Sequence, residues 1–198
     1  LFLFLKESIM TKLKIVGICG SLRAKSFNLS ALETAGGLMP EGMTLEIAPL
    51  HDLPMYNADL QEKGMPASVQ KLRDIMASAD GLILAAPEFN WTISAPLKNM
   101  IDWISRFPAG QQPFFQKPLA ILSATMGPLG GARVQYDLRR SLGSLGVLAL
   151  AKPEIFINNA HTKFDATGKL TDEPTLKIMQ EQMIAFQDWI VRMKRAYP

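Results

Sequence analysis

Cysteine is nearly missing from this sequence: Cys19 is the only one in 198 residues. No disulfide can form within the chain, so a packed core must hold the fold, and a reducing compartment, the cytoplasm, is the expected location. Histidine is almost as scarce. His51 and His161 lie far apart and have no partners at metal-ligand spacing, so no metal site is expected. The net charge is only +3, and Lys and Arg never run longer than pairs such as Arg139-Arg140. A nucleic-acid partner would call for a denser basic patch. The apolar stretch Leu1 to Leu5 is far too short to span a bilayer. It also lacks the flanks of a secretory signal, and no membrane association is expected. Met10-Thr11-Lys12 looks like a natural start, and residues 1–9 are set aside as an N-terminal extension.

Several nucleotide signatures are missing too. No Gly-Lys-Ser/Thr closes a Walker A loop, and Gly17 and Gly20 are spaced wrongly for a GxGxxG fingerprint. This argues against NTPases and ordinary dinucleotide dehydrogenases. No serine stands in a Gly-x-Ser-x-Gly elbow.

What is present suits one α/β domain over 10–198. Hydrophobic residues make up 48% of the chain, enough for a two-sided core. Leu13 to Cys19, Thr44 to Ala48, Gly81 to Ala86, Pro118 to Ser123 and Val147 to Leu150, with an extension towards Ile155, read as strands. The run Gly81-Leu82-Ile83-Leu84-Ala85-Ala86 is apolar at every position, as in a strand buried on both faces of a parallel sheet. Helical stripes alternate with these strands. They comprise Leu29, Leu32, Ala35 and Met39; Val69, Leu72, Ile75 and Met76 after Pro66; and Leu97, Met100, Ile101 and Ile104. Two more follow: Val134, Leu138, Leu142 and Leu145, then Leu176, Met179, Met183, Phe186 and Ile190 after a cap at Thr171 or Asp172. Five alternations predict an open parallel sheet with helices on both faces. Ligands of such sheets bind at the carboxyl ends of the strands. Three loops are expected to meet there: Gly20 to Asn28, Pro87 to Pro96, and Thr125 to Gly131.

The first loop runs from a strand into a helix N-terminus, where free N–H groups and the helix dipole attract a phosphate. Ser21 and Ser26 offer hydroxyls, and Arg23 a planar cation suited to phosphate oxygens. Asn28 is either the N-cap or a ligand to the phosphate. A capped turn with solvated basic residues is the bland alternative. In the second loop, Pro87 stops the sheet ladder, so the following amides can face a planar ligand. Phe89 and Trp91 add aromatic surface. By itself this loop does not separate a ligand site from a solvated acid, Glu88, beside packing aromatics. The glycines of the third loop allow close approach to a ring or simply a helix entry. Arg133, Tyr136 and Glu154 are candidates for an interface network, and Cys19 reads as a core filler.

Gly20-Ser21-Leu22-Arg23-x-x-Ser26-x-Asn28 resembles the phosphate loop of the NADPH-dependent FMN reductases. Pro87-Glu88-Phe89-Asn90 is similar to that family's Pro-Glu-Tyr-Asn motif, and Leu97 to Arg106 to the helix that follows it. Met126-Gly-x-x-Gly130-Gly131-Ala132-Arg133 resembles the third loop of its chromate and quinone reductase branch. The likeness runs in order and in register from Leu13 onward. It implies a flavodoxin-like fold, strand order 2-1-3-4-5, with FMN as cofactor and NAD(P)H as electron donor. Ser21, Arg23, Ser26 and Asn28 would hold the FMN phosphate. Pro87, Glu88, Phe89 and Asn90, with Thr125 and Gly127, would line the isoalloxazine ring. No side chain is required as acid or base. The acceptor would be a small molecule: a quinone, a flavin, an azo compound or a chromate-like oxyanion. A homodimer or homotetramer is implied as well. Two features depart from the pattern: Phe89 replaces tyrosine, and Thr92-Ile93-Ser94-Ala95-Pro96 replaces Ser-x-Pro-Gly. The competing readings are a flavodoxin-type electron carrier, which the basic charge and Ser/Arg loop disfavour, and a flavin-free interaction domain on the same fold.

Overall fold

The computed structural model describes residues 12–198, so the extension and the expected start lie outside the described residues. In chain order the elements are β1 (Leu13–Cys19), α1 (Phe27–Gly37), β2 (Met43–Ala48), α2 (Ala58–Glu62), α3 (Ala67–Ala77) and β3 (Gly81–Ala85). A hairpin of β4 (Glu88–Phe89) and β5 (Thr92–Ile93) comes next, then α4 (Ala95–Ile104), β6 (Pro118–Ala124) and α5 (Ala132–Gly143). β7 (Leu148–Ala149), β8 (Ile155–Ile157), a 3-10 turn (Ala160–Thr162) and α6 (Glu173–Ala196) complete the chain.

The main sheet has the order β2-β1-β3-β6-β7, and each of these pairs is parallel. With β6 as the fourth strand this is the expected flavodoxin-like order. Side chains alternate across it. Val16, Ile18, Leu82, Leu84, Leu119 and Ile121 pack under α3, α4 and α5. Leu13, Ile15, Ile83, Ala120 and Leu122 pack under α1 and α6 on the opposite face. Covered on both faces, the central strand β3 is apolar throughout, from Gly81 to Ala85.

The structure differs from the sequence reading in several places. The fifth strand is two pieces: β7 pairs with Pro118 and Leu119, while β8 pairs further along β6 with Leu122 to Ala124. Pro153 lies between them and has no N–H for the ladder. Asn28 is not the cap of α1. Ser26 holds that position, and its hydroxyl accepts from Leu29 N at 3.3 Å. The long loop after β2 contains α2, opened by Asn57 accepting from Asp59 N at 2.9 Å. The loop after Pro87 is a hairpin, with two consecutive non-glycine residues at positive φ in its turn, Asn90 (48°) and Trp91 (70°). That pair is what a two-residue hairpin turn of the favoured hand requires. Asn tolerates the conformation, but Trp does not usually adopt it.

Candidate functional site

Lateral register brings the three loops together. Cys19 of β1 stands opposite Ala85 of β3, and Ala85 opposite Leu122 of β6. Gly20 N donates to Ala85 O at 2.9 Å, and Ala86 N to Leu122 O at 2.9 Å, so the ladder continues one step past β1 and β3. β1 and β3 therefore end level and β6 runs two residues further, so the phosphate-type turn, the hairpin and the glycine loop leave from one edge.

The turn after β1 is braced from two sides. Ser94 Oγ, fully buried, donates to Gly20 O at 2.9 Å. A Cβ on Gly20 would meet Leu97 at 2.5 Å and Ser94 Oγ at 2.7 Å, so glycine is needed here because α4 packs on the strand end. Asn28 is 3% exposed, and both ends of its amide are committed to β6. Its Nδ2 donates to Ala124 O at 2.8 Å, and its Oδ1 accepts from Ala124 N at 3.0 Å. The side chain fastens the head of α1 to the start of the third loop. Ser21 Oγ accepts from Arg23 N at 3.4 Å, and Arg23 is exposed. Both line a cavity of about 230 Å³ with Cys19, Leu22, Leu29 and His51, whose Nε2 donates to Leu22 O at 3.3 Å. Burial pushes the Cys19 thiol above its ordinary value, and its Sγ–H donates to Ser21 O. Such a thiol packs rather than reacts.

Glu88, with a side chain only 10% exposed, is not a solvated acid. Oε2 accepts from Arg133 N at 3.1 Å and Val134 N at 3.3 Å, and Oε1 accepts from Arg133 Nη1 at 2.7 Å. The N-cap of α5 is Gly131, which has no side chain to close the helix, and its first turn has no acid. Glu88 supplies the cap from the hairpin. The Arg133 guanidinium lies 3.9 Å from the centre of the Trp91 ring, and Thr92 Oγ1 donates to Asp137 Oδ2 at 2.6 Å. Between the hairpin and the third loop is a cavity of about 360 Å³, lined by Glu88, Asn90 and Trp91 on one side and Thr125 to Leu129, Gly131 and Arg133 on the other. Gly130 (φ 59°) and Gly131 (φ 84°) pack on Phe156 and Ser123 and form the helix entry, while a Cβ on Gly127 would meet nothing within 4 Å.

The two helix N-termini differ in charge balance. That of α5 is already neutralised by Glu88. That of α1 has a neutral serine cap, no acid in its first turn, and Arg23 beside it. An external anion is therefore favoured at α1. Among the described residues no group of three or more His, Cys, Asp and Glu is arranged to hold a metal.

The model of the NADPH-dependent FMN reductase family matches residues 13–162. The chain belongs to that family. It is an oxidoreductase that uses FMN and NAD(P)H. The reductase is 44% identical over 182 residues to an NAD(P)H-dependent FMN reductase of Pseudomonas aeruginosa, covering 92% of this chain and 97% of that one. It is 40% identical over 186 residues to a quinone reductase of Escherichia coli strain K12, covering 92% and 98%. Among solved structures it resembles FerB of Paracoccus denitrificans, a flavoenzyme NAD(P)H:(acceptor) oxidoreductase. There the TM-score is 0.82 at 32% identity, with 91% of this chain and 98% of that chain covered. Family membership sets the chain among reductases rather than electron carriers. The donor set of the reductase fits FMN: hydroxyls, a guanidinium and a helix N-terminus suit a phosphate dianion, and the open approach at Gly127 suits a flat ring.

Of the expected site residues, Ser21 and Arg23 line the first cavity; Glu88, Asn90, Thr125 and Gly127 line the second. Ser26, Asn28, Pro87 and Phe89 line neither. Of the candidate interface residues, Arg133 pairs with Glu88 and Glu154 with Lys152 at 2.5 Å, both within the chain. Sequence reasoning missed Ser94 and Asn99 as braces. Asn99 Oδ1 accepts from Tyr56 N at 2.8 Å, and its Nδ2 donates to Pro54 O at 2.9 Å, pinning the loop after β2. The signal available was a polar residue on the apolar stripe of α4.

Proposed function

We propose that the reductase oxidises NAD(P)H and delivers the electrons to a small acceptor, a quinone or an oxyanion of the chromate type, at the edge where β1, β3 and β6 end. The shared carboxyl edge of those strands carries this reading, because it opens the turn, the hairpin and the glycine loop on one side of the sheet. Bound FMN would supply the two-electron redox chemistry between NAD(P)H and the acceptor. Ser21, Arg23, the Ser26 hydroxyl and the first N–H groups of α1 hold its phosphate. Asn28 acts indirectly, by fastening that turn to Ala124. Pro87, Glu88, Phe89 and Asn90 present main-chain groups along one side of the ring, and Thr125 and Gly127 bound the other. Trp91, Met126 and Leu129 leave an apolar rim suited to a planar acceptor.

The assembly is a homodimer or homotetramer, a reading supported by the exposed Phe89, Trp91, Met126, Leu129 and Tyr136 gathered around this edge. The compartment is the cytoplasm, in keeping with a lone, buried thiol.

The test is steady-state NAD(P)H oxidation by FMN-loaded protein against a panel of quinones, free flavins, azo dyes and chromate. Turnover that depends on an acceptor is expected. A colourless protein that takes up no added FMN, or a loaded protein that leaves NAD(P)H unchanged with every acceptor, would remove the reading.

A further inference from the structure

Among the described residues, Glu88 and Arg133 are the two charged ones that line the larger cavity. They face each other as an ion pair at 2.7 Å, and each is held by further contacts. The Glu88 carboxylate also accepts the first N–H groups of α5, so its negative charge rests on a helix N-terminus. The Arg133 guanidinium is flanked by the Trp91 ring, which shields it from water on one face. The nearest further acid on α5, Asp137, is bound to Thr92 and Arg140 and does not line the cavity. The wall of the cavity thus holds one negative and one positive charge in fixed positions, and they cancel.

We propose that this pair keeps the reduction potential of the flavin in this reductase balanced between opposite charges, with Glu88 as a positioning residue that holds the hairpin against α5 and neutralises Arg133. The inference rests on the assignment of this cavity to the isoalloxazine ring. A reduced flavin carries more negative charge than an oxidised one, so charge at the cavity wall shifts the balance between the two forms. Removing the carboxylate leaves Arg133 uncompensated and favours the reduced form. Removing the guanidinium leaves Glu88 and favours the oxidised form. A purely structural role predicts something else: a loosened hairpin weakens both forms alike and leaves their ratio unchanged.

The test measures the midpoint potential of protein-bound FMN by photoreduction against a reference dye, together with the affinity for oxidised FMN. Glu88→Gln is expected to raise the potential and Arg133→Met to lower it. Each should change the ratio of reduced to oxidised affinity about tenfold, which is about 30 mV for a two-electron couple. Glu88→Asp, which keeps the charge, is expected to restore the wild-type value. If Glu88→Gln does not fold, the downward shift in Arg133→Met still decides. Shifts of the same sign, or unchanged potentials with FMN bound, would overturn the pair as a tuning device while leaving the cofactor assignment intact. A wild-type protein that binds no FMN would remove both.

Discussion

At the scale of single residues, the same stretch of sequence divides into groups that face outward and groups that brace. Arg23 and Asn28 belong to one turn and were both expected to hold phosphate. Arg23 is exposed at the head of α1. Asn28 is buried, and both ends of its amide are used on Ala124. Their variants should therefore fail differently. Arg23→Ala removes a charge-assisted contact and should weaken FMN binding by about 1.5–3 kcal/mol, with the melting temperature of the FMN-free protein unchanged. Asn28→Ala leaves a buried N–H and C=O without partners and should lower stability by about 1–3 kcal/mol, visible in the FMN-free protein. Titration with FMN and thermal melts of both forms distinguish the two. Unchanged FMN affinity in Arg23→Ala would take that residue out of the site.

Elements are set by caps as much as by stripes. α6 covers the face of the sheet opposite α4, with Met179, Met183, Phe186 and Ile190 fully buried. Its start is closed by Asp172, whose carboxylate accepts from Thr175 N at 3.1 Å and Thr175 Oγ1 at 2.5 Å. The hydroxyl of Thr175, joined by its backbone N–H and the nearby Lys163, holds the Asp172 carboxyl below the usual aspartate range. A carboxyl with its folded-state value depressed contributes stability above its unfolded value and loses it as pH falls through the folded one. Acidification below the ordinary aspartate range should thus release the start of α6. Asp172→Asn keeps a good N-cap without a titrating group. It is expected to melt close to the wild type near neutrality and to show a flatter acid limb. Thermal melts across a pH series check this. An acid limb identical to that of the wild type would remove Asp172 from the account.

Whole-molecule behaviour follows from what the sheet edge leaves uncovered. The 21.9 kDa chain buries apolar residues on both sheet faces, yet Trp91 remains 71% exposed and Met126 63% exposed, close to Phe89 and Leu129. Large apolar side chains gathered at a functional edge mark a contact surface. Light scattering of the purified protein is expected to give two or four times the chain mass. Substituting charged residues at Met126 and Leu129 together should shift it towards the monomer. A wild-type protein that is monomeric at micromolar concentration would refute the assembly.

The sequence by itself determined the alternation of strands and helices, the parallel sheet and the three loops at its edge. Uninterrupted apolar runs such as Gly81 to Ala85 and stripes such as Leu97, Met100, Ile101 and Ile104 are local periodicities that need no partner to be read. Tertiary structure alone decided that Glu88 caps α5 across 45 residues, that Asn28 fastens a turn to a strand 96 residues away, and that Pro153 parts the last strand into two pieces. A carboxylate or amide has no periodicity to show whether water, a ligand or a distant backbone will satisfy it. Only folding brings the helix end or strand end within hydrogen-bond distance and settles which it is.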